Sequence, residues 1–304
     1  MPVARRLALI GCSGMLATAV RGCAGPEWEV VGLDLPEFDL TNREQVIDVL
    51  TAIAPQVILN CAAYTNVDGA EAEEPLALRV NGEGPGHLAR AAMHVGATLV
   101  HISTDYVFDG TNPRPYREDV PAAPVSAYGR TKLAGEQAII GSGLEAFYIV
   151  RTSWLYGQNG RNFVETVLRL ALEREELRIV ADQVGSPTYT VDLARAVFAL
   201  LSAGVGCAPF GIYHYSNEGQ CSWYEFACAI VALARQHGVP VKVREITPIR
   251  SEEYPLPAQR PAFSVFDKSK FRGATGATVP DWRESLAIYM RSRACQEKQD
   301  DRNK

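Results

Sequence analysis

Leu7-Ala8-Leu9-Ile10-Gly11-Cys12-Ser13-Gly14-Met15-Leu16-Ala17 is the stretch whose reading decides the fold. Four apolar residues run into a glycine, the pattern of a short buried strand that ends in a tight turn. The small residues Gly11, Gly14 and Ala17 then follow at G-x-x-G-x-x-A spacing. Such a turn brings backbone N–H groups and a helix N-terminus close to a ligand, a setting suited to a pyrophosphate. The spacing alone is weak, but between a predicted strand and a predicted helix it gains weight. Arg5-Arg6 and the apolar run before Cys12 also imitate a signal segment, yet that run is too short for a signal core.

Outward from the turn, strands and helices alternate. Strands are predicted over 29–33, 57–60, 98–103 and 147–150, a helix leads from the glycine turn to near Gly25, and another runs over about 127–140. Thr41-Asn42-Arg43-Glu44 reads as a capping box opening a helix to about residue 54. Residues 71–95 read as mostly helical, with a break or kink expected at Gly82, Gly84, Pro85 and Gly86. This alternation predicts an α/β fold, a Rossmann-type doubly wound parallel sheet covered on both faces. Ligands of such sheets bind past the carboxyl ends of the strands. Gly11, Asp34, Ala62, Thr104 and Ser153 all fall there, so they are expected to share one crevice. Asp34 can accept hydrogen bonds from an adenosine ribose, and no Arg directly follows it to welcome a 2′-phosphate.

The second half is less regular. It reads as helices over 163–173 and 191–201, strands over 178–180 and 212–215, and a helix to 237 after the capping box Ser222-Trp223-Tyr224-Glu225. Pro255, Pro257 and Pro261 mark an extended segment, and a last helix starts at Asp281. The expected division is a cofactor-binding domain over 1–155, joined by parts of about 185–215. A mainly substrate-binding region over 156–293 and a polar tail over 294–304 complete it.

Ser126-Ala127-Tyr128-Gly129-Arg130-Thr131-Lys132 carries the chemistry. On a helix Tyr128 and Lys132 lie on one face, a turn apart. An ammonium beside a phenol favours the phenolate, so Lys132 is expected to lower the Tyr128 pKa toward the working range. Ser103 and Thr104, where the fourth strand leaves the sheet, can offer a hydroxyl to a carbonyl oxygen beside Tyr128. Asp105 and Asp109 read as loop residues around a turn at Gly110.

Composition narrows the function classes. A net charge of −5 over 304 residues gives no electrostatic reason to expect nucleic acid or an anionic membrane. Seven scattered cysteines with no C-x-x-C pair read as reduced thiols of a cytoplasmic protein. The histidines show no H-x-x-x-H spacing, so no protein-held metal is expected. No apolar run approaches a membrane helix.

Together, G-x-x-G-x-x-A, Asn60-Cys61-Ala62-Ala63-Tyr64-Thr65, Ser103-Thr104-Asp105-Tyr106-Val107-Phe108-Asp109-Gly110 and Tyr128-Gly129-Arg130-Thr131-Lys132 resemble the extended short-chain dehydrogenase/reductases. Arg151-Thr152-Ser153-Trp154-Leu155-Tyr156-Gly157, Asp182-Gln183-Val184-Gly185-Ser186-Pro187-Thr188 and Arg260-Pro261 are similar to stretches of the dTDP-4-dehydrorhamnose reductases. The likeness covers nearly the whole chain. It implies reduction, with NADPH or NADH, of the 4-keto group of dTDP-4-dehydro-6-deoxy-L-mannose to dTDP-L-rhamnose, for cell-surface polysaccharide.

By motif match, the resemblance implies Tyr128 as proton donor, Lys132 as its tuner and ribose ligand, and Thr104 at the sugar carbonyl. It places Gly11, Ser13, Gly14, Met15, Leu16, Asp34, Asp39, Leu40, Ala62, Ala63 and Thr65 at the cofactor. Asp105, Tyr106, Trp154 and Arg260 go to the sugar nucleotide, with the Arg260 fork suited to its diphosphate. Ala17 replaces a usual glycine and Ser126 a frequent Asn, and neither change removes a catalytic group. The carboxylates that bridge a metal-linked dimer in some relatives are missing near Ala19. A metal-linked dimer is therefore not expected, while an ordinary homodimer stays open. Two other readings compete: a ketoreductase for another deoxysugar, and the more distantly similar regulatory subunit of methionine adenosyltransferase. Intact Thr104, Tyr128, Lys132 and Trp154 favour an enzyme.

Overall fold

In the computed structural model, residues 4–302 are described, except the side chains of 205 and 294–302. Five strands follow the predicted order: β1 (Arg5–Ile10), β2 (Trp28–Leu33), β3 (Val57–Asn60), β4 (Thr98–Thr104) and β5 (Phe147–Thr152). A sixth, Gly211–His214, joins from the second half. All pair in parallel, in the spatial order Gly211–His214, β5, β4, β3, β1, β2. The order reverses at β1, which lies between β3 and β2, and this is where a crevice opens in such sheets.

Alternation along the strands explains the two-sided burial. Leu7 and Leu9 enter one core with Leu16, Val20, Leu193 and Val197. Ala8 and Ile10 enter another, with Leu50, Leu88 and Ala92. A third core, around Val167, Phe226, Ile230 and Leu286, lies outside the sheet.

The helices on the first half are α1 (Met15–Cys23), α2 (Arg43–Ile53), α3 (Val67–Ala72), α4 (Glu74–Leu78), α5 (Gly84–Val95) and α6 (Ala127–Ile140). One local expectation is corrected and another narrowed. The α2 cap is Asn42, whose Oδ1 accepts from the Gln45 N–H, while Thr41 turns back to bond Asp39. Of the expected break or kink at the glycines, the break is absent. A π-helical turn over Arg79–Glu83 carries α4 into α5, and Pro85 falls in the first turn of α5, where its missing N–H costs least.

In the second half the predicted helix Phe163–Glu173 is present, and the Ser222–Glu225 capping box opens Trp223–Gln236. Short sequence patterns missed the Glu245–Ile249 strand, which pairs with Glu176–Val180. The last helix, Trp282–Arg302, continues through most of the expected polar tail; 303–304 lie outside the described residues. No described helix is long and apolar enough to cross a membrane.

Candidate active site

A crevice of about 690 Å³ opens past the strand ends. Its walls include all the expected site residues except Ser13 and Arg260. Gly11 is fixed by two constraints: its φ is +75°, and a Cβ there would lie 2.7 Å from the Ala62 nitrogen. The chain thus turns tightly where β1 and β3 diverge. No side chain caps α1 at Gly14, leaving its first-turn N–H groups to face a ligand. Ser13 serves from behind, donating its N–H to Asp34 Oδ2 at 2.9 Å. Asp34 also takes the Leu35 N–H at 3.0 Å, so this carboxylate braces the glycine turn as well as lining the crevice.

Tyr128 and Lys132 sit on α6 because that helix is docked at three points. Ser126 Oγ accepts from the Gly129 N–H at 3.1 Å, capping the first turn. Gly129 lies against Tyr106, where a Cβ would be 2.2 Å from the carbonyl oxygen, and Gly135 lies equally close to that of Asn81. The Tyr106 and Tyr128 rings meet edge to face at 5.4 Å. Thr104 Oγ1 donates to Asp105 Oδ1 at 3.0 Å and accepts from the Tyr106 N–H at 3.2 Å.

The influences on the Tyr128 phenol come from burial, Thr104 and Asp105. Burial pushes Tyr128 up to about 12, a hydrogen bond with Thr104 pulls it down, and the Asp105 charge adds to the rise. Lys132 Nζ instead donates to the Ile102 carbonyl at 2.7 Å and meets His101 Nε2 at 3.3 Å. Burial brings this ammonium down to about 8, against the pull of Glu136 and Cys61. Asp105 is pushed up to about 6, mainly by burial. The phenol therefore holds its proton throughout the neutral range, as a donor to a developing alkoxide must.

Sequence reasoning missed the polar layer beneath the site. Glu136, one turn beyond Lys132, accepts from Ser103 Oγ at 2.5 Å and from Arg151 Nη2 at 2.6 Å. Both partners of this ion pair are buried. Arg151 Nη1 lies 3.4 Å from His214 Nε2, and His214 Nδ1 lies 2.9 Å from the Tyr116 carbonyl. Burial and the Arg151 charge hold His214 down at about 3, so it is neutral. The loop at Asn159, Gly160 and Arg161 also lines the crevice and was not expected there, since no spacing ties it to the glycine turn.

Arg260 is not on the crevice wall. It lines a second cavity of about 810 Å³ with Arg178, Gln183 and Trp223. Its fork is engaged by Asp68, with Nη1 and Nη2 donating to the two carboxylate oxygens at 2.9 and 2.8 Å. Trp154 lies between the two spaces. It lines the crevice, and its ring stacks on Trp223 of the second cavity at 3.4 Å and 6°.

A hydride-accepting carbonyl placed against Tyr128 and Thr104 would have an acid, a hydroxyl and an aromatic wall around it, and the glycine turn suits a dinucleotide. The comparisons with known proteins agree. The family model described as RmlD substrate binding domain matches residues 5–295. A dTDP-4-dehydrorhamnose reductase of Burkholderia thailandensis is 40% identical over 293 residues, covering 94% of this chain and 98% of the relative. The solved dTDP-4-dehydrorhamnose reductase of Bacillus anthracis, in complex with NADP, superposes with a TM-score of 0.89 at 40% identity, over 95% of this chain and 100% of that one. A probable dTDP-4,6-dihydroxy-2-methyloxan-3-one 4-ketoreductase of Streptomyces antibioticus is 41% identical, covering 92% of this chain and 93% of the relative. With a family match of this extent and relatives this similar, the chain belongs to the dTDP-4-dehydrorhamnose reductase family.

Proposed function

We propose that this protein reduces the 4-keto group of dTDP-4-dehydro-6-deoxy-L-mannose to dTDP-L-rhamnose with NADPH or NADH. The observation that carries the reading is the single crevice that joins the glycine turn at Gly11 to Thr104, Tyr128 and Trp154. A bound reduced nicotinamide supplies the hydride. Tyr128 delivers the proton to the C4 oxygen, and Thr104 shares that oxygen through its hydroxyl. Lys132, anchored on Ile102, holds its ammonium one turn from the phenol. It steadies the cofactor ribose and the charge that develops during transfer.

Asp34 and the α1 N-terminus receive the adenosine ribose and the pyrophosphate. Asp39, Leu40, Ala62, Ala63 and Thr65 complete that wall. Trp154 walls the deoxysugar, while Asp105 and Tyr106 lie at its near side. The nucleotide extends toward the second cavity, where the Arg260 fork reaches the diphosphate once it leaves Asp68. On this reading, residues 1–155 with parts of 185–215 hold the cofactor, and 156–293 hold mainly the sugar nucleotide.

Enzymatically prepared dTDP-4-keto-6-deoxyhexose, supplied with each reduced cofactor, tests the assignment. The expected product is dTDP-L-rhamnose, identified by the ring-proton couplings at C4. A protein that binds cofactor but leaves this keto-sugar unreduced at high enzyme concentration would refute it. The similarity to the Streptomyces antibioticus ketoreductase supports one second reading, a 4-ketoreductase for another dTDP-deoxyhexose. The other C4 epimer in the product, or a different deoxygenation pattern in the preferred substrate, would favour that reading.

A further inference from the structure

The residues from Asp182 to Thr188 supply none of the acid, hydroxyl or cofactor contacts described above. Their contacts converge on one feature, the stacked indoles of Trp154 and Trp223. Trp223 Nε1 donates to Gln183 Oε1 at 3.2 Å, and Gln183 Nε2 donates to Ser251 Oγ at 2.9 Å. Ser251 is in turn held by Asp182, whose carboxylate accepts from the Ser251 hydroxyl at 2.6 Å. The amide of Gln183 is thereby oriented: its donor end is committed to Ser251, so its oxygen must face the indole.

Trp154 is held from other sides. Its φ of 47° is uncommon for a residue with a side chain and fixes the direction in which the indole leaves the backbone. A Cβ on Gly185 would lie 2.6 Å from Trp154 Cε2, so only glycine leaves room for the ring there. The Thr188 N–H donates to the Trp154 carbonyl at 3.2 Å, and the Ser153 hydroxyl donates to the Ser186 carbonyl at 2.7 Å. The same segment grips the loop that carries Arg260, through the Val184 N–H to the Ala262 carbonyl at 2.8 Å.

We propose that Trp223 is a specificity-determining residue of the sugar-nucleotide site, and that Gln183 and Gly185 are positioning residues that hold the Trp154–Trp223 stack as a fixed partition between the crevice and the second cavity. The proposal rests on the 4-ketoreductase reading above. A single indole at a cavity mouth can swing aside. One backed by a second ring, with that ring's edge tied to an oriented amide, cannot recede without breaking the stack and a hydrogen bond. The partition then fixes how far the sugar ring can withdraw from Tyr128. Its apolar ring accepts a methyl group and leaves an added hydroxyl without a partner, which favours a 6-deoxyhexose by about 10²-fold at most.

Among the described residues this is the only stacking of one Trp on another, and stacked indoles give an exciton couplet in circular dichroism. Couplet, KM for the sugar nucleotide, KM for NADPH and thermal midpoint are measured for wild type, Trp223→Phe, Gln183→Met, Gln183→Glu and Gly185→Ala. Trp223→Phe abolishes the couplet. Gln183→Met weakens it and raises KM for the sugar nucleotide about five-fold, the scale of one lost hydrogen bond, with KM for NADPH unchanged. Gln183→Glu keeps an acceptor for Trp223 Nε1 but loses the donor to Ser251 and adds a charge beside Asp182, so it recovers the couplet and KM only in part, a partial rescue that a general loss of fold would not allow. Gly185→Ala, which pushes directly on Trp154, shows a larger rise in KM for the sugar nucleotide.

An unchanged couplet and KM in both Gln183→Met and Gly185→Ala would overturn the proposal, as would an equal rise in both KM values. If wild type leaves the keto-sugar unreduced, the substrate reading fails and the specificity claim fails with it. The couplet needs no substrate, so it still decides whether Gln183 and Gly185 hold the stack.

Discussion

At the scale of residues, the site works with a phenol that stays protonated and an ammonium that is easily lost. Tyr128→Phe is expected to leave NADPH binding intact, measured by fluorescence titration, while lowering kcat by on the order of 10²–10⁴. Lys132 titrates near 8, with His101, Cys61, Glu136 and the Tyr128 turn as the groups facing it. Activity that depends on its charge therefore falls as pH rises through about 8. Lys132→Arg keeps a charge at all accessible pH, so its residual kcat/KM profile loses that alkaline limb. Asp105 gives the opposite type of signal. Its folded-state value of about 6 lies above the ordinary 3.8, so the folded chain binds this proton more tightly than the unfolded one. The stability that results is present below pH 3.8 and lost as pH rises through about 6. Asp105→Asn removes this slope, so urea denaturation of the two proteins should diverge most near neutral pH. Tyr128, Thr104 and Trp154 were legible in the sequence because each sits in a short local motif. The partner of Arg260 was not: Asp68 lies 192 residues away, and no local pattern joins them.

At the scale of elements, α6 is aimed by glycines that let it touch backbone and by the π-helical turn it packs on. Glycines and Pro85 suggested a break there because local propensity counts only what a helix loses. The structure shows what the wider turn gains. It places buried Asn81 so that Oδ1 accepts from the Tyr64 N–H at 2.8 Å while Nδ2 donates to the Tyr64 carbonyl at 3.1 Å. Nδ2 also lies 3.3 Å from Thr131 Oγ1, between Tyr128 and Lys132 on α6. Asn81→Ala would leave the Tyr64 backbone without these partners and is expected to cost on the order of 2–4 kcal/mol in urea unfolding. A loss under about 0.5 kcal/mol, the range of an ordinary surface change, would mean that the turn does not depend on this side chain.

At the scale of the molecule, the Glu136–Arg151 pair ties the helix of the acid to the sheet. Arg151→Met leaves Glu136 buried without its cation and is expected to cost about 3–5 kcal/mol, whereas Glu136→Gln with Arg151→Met should recover much of it. Calorimetry of the single and double variants would settle the sign. The alternation of apolar runs made the parallel sheet legible from its first five strands, since each run is local and bounded by turn residues. The cross-chain pairings were less legible, because a strand such as Glu245–Ile249 carries little hydrophobic signal and is defined by its neighbour, Glu176–Val180. The sheet order has a consequence for synthesis on the ribosome. β5 ends at Thr152, but its outer neighbour is not complete until His214. A nascent chain therefore presents an unpaired, apolar strand edge while about 60 residues are added, roughly 3–12 s at the rate of bacterial and eukaryotic translation. During that interval the exposed edge can pair with another chain. Yield of the enzyme is then set by how long the growing polypeptide waits for its sixth strand, and a fragment stopped near residue 155 would wait indefinitely.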